Sequence, residues 1–223
     1  ELNMSKEINK IVIVGGGSAG WMSASTLIHE YPEKEIVVIE SPKVPTVGVG
    51  ESTIGGINRW CNLLGIKDED FLKATDGSYK LSIRFTNFYR KDSGSFHYPF
   101  GYTDHQDNPN GRNEWYFKKF GDPSTPLSDY ADSMFPGMAL VNQNKMTDNK
   151  DEKLPGWMIH RDSAYHFDAA SFGYWLRENY SKPRGVEHIA AEVVDIKTNE
   201  DGIESLTLDN GDVTVSYDDG ETS

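Results

Sequence analysis

Apolar positions are spaced unevenly along the chain, and their spacing separates ordered stretches from irregular ones. Ile11-Val12-Ile13-Val14 is an unbroken β-branched run, the pattern of a strand buried on both faces. Gly15-Gly16-Gly17-Ser18-Ala19-Gly20 follows at once. Ala19, Met22, Ala24, Leu27 and Ile28 then mark one side of a helix that ends near Glu30, with Pro32 beyond it as a stop. Ile36-Val37-Val38-Ile39 is a second buried run, closed by Glu40. Strand, glycine turn, helix and strand in that order make a complete βαβ unit.

Past this unit the pattern loosens. Residues 41–52 read as a loop, and helical spacing returns over 54–64 and 69–75. Over 79–89, Leu81, Ile83 and Phe85 alternate with Lys80, Ser82 and Arg84, which predicts one half-buried strand. From 90 to about 161, Gly, Pro, Asn, Asp and large rings dominate with little periodicity; a stretch that long is expected to be an inserted substrate or lid region. Regularity resumes at His166. Asp168 reads as an N-cap, and Ala169, Phe172, Trp175 and Leu176 mark a helix reaching Tyr180, ended by Pro183-Arg184-Gly185. Three strands over 191–198, 203–208 and 213–217, joined by Glu200-Asp201-Gly202 and Asp209-Asn210-Gly211, predict an antiparallel meander. The expected class is α/β: a Rossmann-type βαβ domain with an antiparallel β-meander and an inserted irregular region. The expected divisions are 1–90, 91–161 and 162–223.

Charge narrows the range of partners. The formal net charge of −13 repels nucleic-acid phosphates and anionic lipid, so neither is an expected partner. With 26% charged and 37% hydrophobic residues the chain reads as soluble and globular. A single cysteine, Cys61, excludes an intramolecular disulfide and fits a reducing compartment. No run approaches a membrane span, and the first apolar run leads into glycines rather than a signal-peptide cleavage site, so the expected address is the cytoplasm. Glu1-Leu2-Asn3, ahead of Met4, is set aside from fold reasoning.

Gly15, Gly17 and Gly20 fit G-x-G-x-x-G. In that pattern the first glycine permits a tight turn, the second lets a pyrophosphate approach the backbone, and the third lets helix and strand pack closely. With Ser18 and Ala19 they open a helix whose N-terminal N–H groups suit phosphate. Glu40, at the end of the second strand, is placed to accept from ribose hydroxyls and to repel a 2′-phosphate. These features predict a dinucleotide site; they do not separate FAD from NAD.

Several segments together resemble the flavin-dependent tryptophan halogenases. They are Gly15-Gly16-Gly17-Ser18-Ala19-Gly20-Trp21, Val47-Gly48-Val49-Gly50-Glu51-Ser52-Thr53, Tyr79-Lys80-Leu81-Ser82-Ile83-Arg84-Phe85, and Tyr165-His166-Phe167-Asp168-Ala169-Ala170 with Arg184-Gly185-Val186 behind it. The resemblance runs from about Ile11 to Leu208; its specific marks are the tryptophan after the glycines and the lysine in the Tyr-Lys-Leu strand. It implies an FAD-binding domain, a separate flavin reductase, and halide as co-substrate. The mechanism it implies is one in which reduced flavin and oxygen convert the halide to hypohalous acid, which passes along a protein channel to a lysine and then to an electron-rich aromatic substrate. Lys80 matches that lysine, although alternation alone would make it a surface residue.

The resemblance also implies that Gly48, Val49, Gly50 and Glu51 belong to a loop beside the flavin; Glu51 could equally cap the helix that follows. Phe96-His97-Tyr98-Pro99-Phe100 resembles a segment whose rings flank the substrate, which makes His97, Pro99 and Phe100 candidate substrate contacts, with a lid core as the competing reading. Asp104-His105-Asp107 lacks metal-ligand spacing and is read as a polar loop, so no metal is expected. His166 and Asp168 are explained by capping and packing, and Trp115, Trp157 and Trp175 by packing. The family's Trp-x-Trp-x-Ile-Pro motif, halide loop and glutamate near the lysine are not among these residues, so the chain is read as a front portion, a split product or a reduced relative. The rival expectations are an FAD hydroxylase that uses bound NAD(P)H and a non-catalytic flavin-binding fragment. Expected partners are an aromatic small molecule and a flavin reductase, with a homodimer left open.

Overall fold

The computed structural model describes residues 8–45, 52–103, 109–200 and 202–214. The chain divides into two compact units. The first comprises Glu1–Glu51, Glu69–Asp76 and Phe167–Ser223, and the second Ser52–Asp68 and Gly77–His166. In chain order the elements begin with β1 (Lys10–Val14), α1 (Ser18–Glu30), β2 (Glu35–Glu40), α2 (Gly56–Leu63) and α3 (Asp68–Phe71). Next come β3 (Ser78–Lys80), β4 (Ser82–Thr86), β5 (Ser95–Pro99), α4 (Pro109–Gly121), α5 (Ser128–Met134), α6 (Met138–Gln143) and α7 (Ile159–Asp162). The last are β6 (Ala164–His166), α8 (Ala169–Trp175), β7 (Glu187–Ala190), β8 (Val193–Asn199), β9 (Gly202–Leu208) and β10 (Val213–Thr214). Among the described residues no helix is long and apolar enough to cross a membrane.

The first unit is built on a parallel sheet in the order β1-β2-β7. As the middle strand, β2 has neighbours on both edges, and Ile36, Val37, Val38 and Ile39 are all buried. That explains an apolar run in place of alternation. Val37 and Ile39 pack with Ala191, just past the end of β7, and with Leu206 and Leu208 of the meander β10-β9-β8. Ile36, Val38 and Glu40 point to the other face. There the register pairs Val38 with His188, and the ring of Trp21 from α1 meets His188 edge-on at 5.3 Å. α1 therefore covers that face with Trp21, Ala24 and Ile28 buried.

α8 starts as expected, with the Asp168 carboxylate accepting from Ser171 N–H. From Leu176 to Ser181 the helix widens into π turns, and Lys182 N–H donates to the Arg177 carbonyl five residues back. Pro183 and Gly185, at φ +99°, then end the helical path.

In the second unit the strand expected over 79–89 is instead two strands with different partners. β3 pairs with β6, and β4 pairs with β5. The switch falls at Leu81, whose carbonyl accepts from Phe100 N–H at 3.0 Å. Leaving one partner and joining another breaks the regular alternation that a single strand would keep. The stretch expected to lack elements carries α4, α5 and α6. α4 escaped the reading because three of its four rings, Tyr116, Phe117 and Phe120, are exposed, so its apolar residues do not follow a helical period. His166 is a strand residue paired with Ser78, not a helix cap.

Candidate functional site

In the first unit Gly15 follows β1 with φ +117°, a backbone that strains any residue bearing a Cβ, and its N–H donates to Ile39 O at 2.8 Å. A methyl group on Gly20 would overlap the Gly15 carbonyl oxygen, so α1 can lie against this turn only with glycine there. Gly17 differs from both. Its backbone is extended (φ −70°, ψ 179°) and a Cβ on it would meet nothing within 4 Å. The first helical bond runs from Trp21 N–H to Gly17 O, so the N–H groups of Ser18, Ala19 and Gly20 precede it, and no acidic residue occupies the first turn. Gly15, Gly17, Ser18, Ala19 and Glu40 line one cavity of about 410 Å³, closed on other sides by Val44, Pro45, Ala191 and Val193. Gly20 lies beneath, as a packing residue. An open backbone flank, free N–H donors and a carboxylate at the strand end are the donors and acceptors that a pyrophosphate and a ribose require.

Glu40 has partners that sequence reasoning missed. Arg177 Nη1 donates to Glu40 Oε2 at 3.2 Å. His188 Nε2 lies 3.0 Å from the same oxygen but out of line for a hydrogen bond. Burial, and then Arg177, hold His188 below the usual histidine range, outweighing the pull of Glu40. The Glu40 side chain fills the space where a Cβ on Gly16 would project, so this middle glycine of the run is needed for the carboxylate to lie over the turn. Arg177 is stacked on Tyr174, 4.7 Å from the ring centre. It belongs to a distant helical turn, and nothing in its local sequence marks it as a partner of Glu40.

In the second unit β6 lies between β3 and the segment at Ser52–Thr53. Ser52 bridges His166, and Thr53 N–H donates to Tyr165 O at 2.9 Å. The two faces of this small assembly differ. On one, the register partners Tyr79 and Tyr165 both donate to Asp68, at 2.6 and 2.5 Å. Burial, and then the bond to Asp68, push both phenols well above the ordinary tyrosine value. Cys61 is buried near Asp68, and its thiol is pushed up to about 12, chiefly by burial.

On the other face Lys80 is turned inward. Its Nζ donates to Thr53 O at 2.8 Å and lies 5.3 Å from the centre of the Phe100 ring. Burial lowers its pKa. Phe100 is thus brought to Lys80. His97 is held by a 2.8 Å bond between Nδ1 and Ser82 Oγ; burial, and then its register partner Arg84, depress its pKa. Pro99 is buried and paired with Ser82. A cavity of about 580 Å³ borders β3 and is lined by Lys80, Leu140, Val141, Met146 and His166 among others, but not by His97, Pro99 or Phe100. Thr53 and Ala164, which flank the lysine, were not singled out from sequence.

Gly48, Val49, Gly50 and Glu51, and the loop Asp104-His105-Asp107, lie outside the described residues. Trp157 is buried with Nε1 donating to Thr147 O, and Trp115 donates to Asp129, both as packing residues.

Comparison with known proteins bears on both units. Tryptophan 6-halogenase ThaL of Streptomyces albogriseolus is 30% identical over 217 residues, covering 89% of this chain and 39% of ThaL. The ligand-free structure of VirX1 superposes with a TM-score of 0.85 at 36% identity, covering 94% of this chain and 41% of that one. BrvH, a flavin-dependent halogenase from Brevundimonas sp. BAL3, gives a TM-score of 0.75 at 33% identity, over 94% of this chain and 41% of BrvH. The chain therefore spans well under half the length of these relatives. Residues 10–218 match the model of the tryptophan halogenase family. With a match of that extent, and relatives alike in sequence and fold along nearly all of its length, this chain belongs to the tryptophan halogenase family.

Proposed function

We propose that the chain supplies the FAD-binding turn and the reactive lysine of a flavin-dependent halogenase acting on an electron-rich aromatic ring. Gly15, Gly17, Ser18 and Ala19 would hold the pyrophosphate, Glu40 the ribose, and Gly48, Val49, Gly50 and Glu51 would lie in the loop nearest the flavin. When bound, reduced FAD supplies the activation of oxygen that turns halide into hypohalous acid. That reduced flavin comes from a separate reductase.

The observation that carries this reading is the state of Lys80. A lysine on a half-exposed strand ordinarily extends into water. Here its ammonium is bonded to a backbone carbonyl beside an aromatic ring, and desolvation lowers its pKa. A partly desolvated amine can donate a hydrogen bond to the oxygen of hypohalous acid, or when neutral take up halogen as a haloamine. In the transfer the ring carbon–halogen bond forms as the bond from halogen to its carrier breaks. From hypohalous acid the released hydroxide takes the ring proton and leaves as water; from the haloamine, whose formation has already released water, the amine nitrogen takes the proton. Phe100, beside the amine, suits a flat substrate held by stacking, and His97 and Pro99 frame the same strand.

The reductase requirement tests this against the hydroxylase alternative. The intact protein with FAD, halide and aromatic substrate should form halogenated product only when a flavin reductase and NADH are added. Rapid bleaching of the flavin spectrum by NADPH alone would favour a hydroxylase.

A further inference from the structure

Thr53 makes an unusual set of bonds to Tyr165. In a regular antiparallel pair, facing residues exchange two backbone bonds, N–H to carbonyl in both directions. Thr53 N–H does donate to Tyr165 O at 2.9 Å. The return bond is different: Tyr165 N–H donates at 2.8 Å to the Thr53 side-chain Oγ1. The same hydroxyl donates back to Tyr165 O at 2.9 Å, so it serves as both donor and acceptor. The threonine hydroxyl has taken the place of its own carbonyl in the ladder. The Thr53 carbonyl oxygen instead accepts from Lys80 Nζ.

The path of the lysine fits this arrangement. Lys80 is the register partner of Ala164 on β6, and the far side of β6 is bordered by the Ser52–Thr53 segment, with Ser52 opposite His166 and Thr53 bonded to Tyr165. Facing residues of an antiparallel pair project to the same side, so the Lys80 stem leaves β3 on the face that Ala164 shares and reaches across β6 to Thr53. Ala164 is fully buried and offers only a methyl group to cross.

We infer that Thr53 is a positioning residue for Lys80: its hydroxyl substitutes in the β-ladder so that its carbonyl is free to anchor the amine, with Ala164 as the low point of the crossing. The inference rests on the reading that Lys80 is the halogen-transferring amine, but the anchoring itself can be measured apart from that reaction.

Thr53→Val keeps the shape and removes the hydroxyl. Tyr165 N–H then turns to the Thr53 carbonyl, and Lys80 loses its acceptor. Acylation of Lys80 by limiting acetic anhydride, resolved by peptide mass spectrometry across a pH series, should shift to higher pH as the amine, released to solvent, loses the desolvation that lowers its pKa. Thr53→Ser should restore the original profile, which loss of packing alone would not explain. Thr53→Ala is the second variant, with the same expectation should the valine protein fail to fold. In the intact protein the two hydroxyl-deleting variants should keep FAD affinity and substrate KM while kcat for ring halogenation falls about 100-fold, the scale of misplacing a reacting group. An unchanged acylation profile in both deletions, or failure of serine to restore it, overturns the inference. A shifted acylation profile with unchanged halogenation leaves the anchoring intact and removes Lys80 from the chemistry instead.

Discussion

The Arg177 guanidinium donates to the Glu40 carboxylate at 3.2 Å across 137 residues of sequence, and fixes the acid at the end of β2 over the glycine turn. Glu40→Ala should therefore weaken FAD binding by about ten-fold, the scale of one charge-assisted hydrogen bond. Gly16→Ala should produce a similar loss, because a methyl group there displaces the same carboxylate. Fluorescence titration with FAD measures both.

The glycines of the turn should respond differently to alanine. Gly20→Ala forces a methyl into the Gly15 carbonyl and should cost about 3 kcal/mol of stability or more. Gly17→Ala meets open space at a backbone angle that any residue accepts, so its unfolding midpoint should move little. Its affinity for FAD should nevertheless fall, since the methyl projects where the pyrophosphate is proposed to approach. Equal effects of the two substitutions on stability would contradict these roles.

How much of this was legible in the sequence depended on whether a residue's role was local. β1, α1, β2, the Asp168 cap and the meander announce themselves through runs and turns within a few residues. β7 did not: Glu187-His188-Ile189-Ala190 is short and mixed in polarity, and only its pairing with β2 makes it a strand. Lys80 stood out through its flanking residues, but the partners that orient it come from segments 27 residues before it and, through β6, far after it. Leu81 hid the change of strand partner because alternation continues through it on paper. Arg177 and His188 carry no local signal, since each meets Glu40 through tertiary packing alone.

His188 gives the first unit a pH dependence with a definite sign. Its folded pKa is held below the ordinary 6.5, chiefly by burial. Between those two values the unfolded chain binds a proton that the folded chain refuses, so stability falls as pH drops through about 6.5 towards the depressed folded value. Denaturation midpoints should be lower at about pH 5.5 than at about pH 7.5. His188→Phe, which keeps a ring against Trp21, should flatten that slope. A slope of equal size in the variant would assign the acid sensitivity to other groups.

Asp68 holds the face of the sheet opposite Lys80. Asp68→Ala strands the hydroxyls of the half-buried Tyr79 and the buried Tyr165, and should cost about 2–4 kcal/mol in stability. Tyr79→Phe alone removes one donor and leaves Asp68 its second, so it should cost about 1 kcal/mol. Urea denaturation of the two variants checks the ordering, which a purely steric role for Asp68 would not produce.

Lys80→Ala in the intact protein, assayed with FAD, a flavin reductase, NADH, oxygen and halide, separates oxidant formation from its delivery to the ring. Hypohalous acid measured with a thiol trap should persist, as should FAD binding, while halogenated aromatic product falls to background. Undiminished product from the alanine variant would show that halogen reaches the ring without this amine.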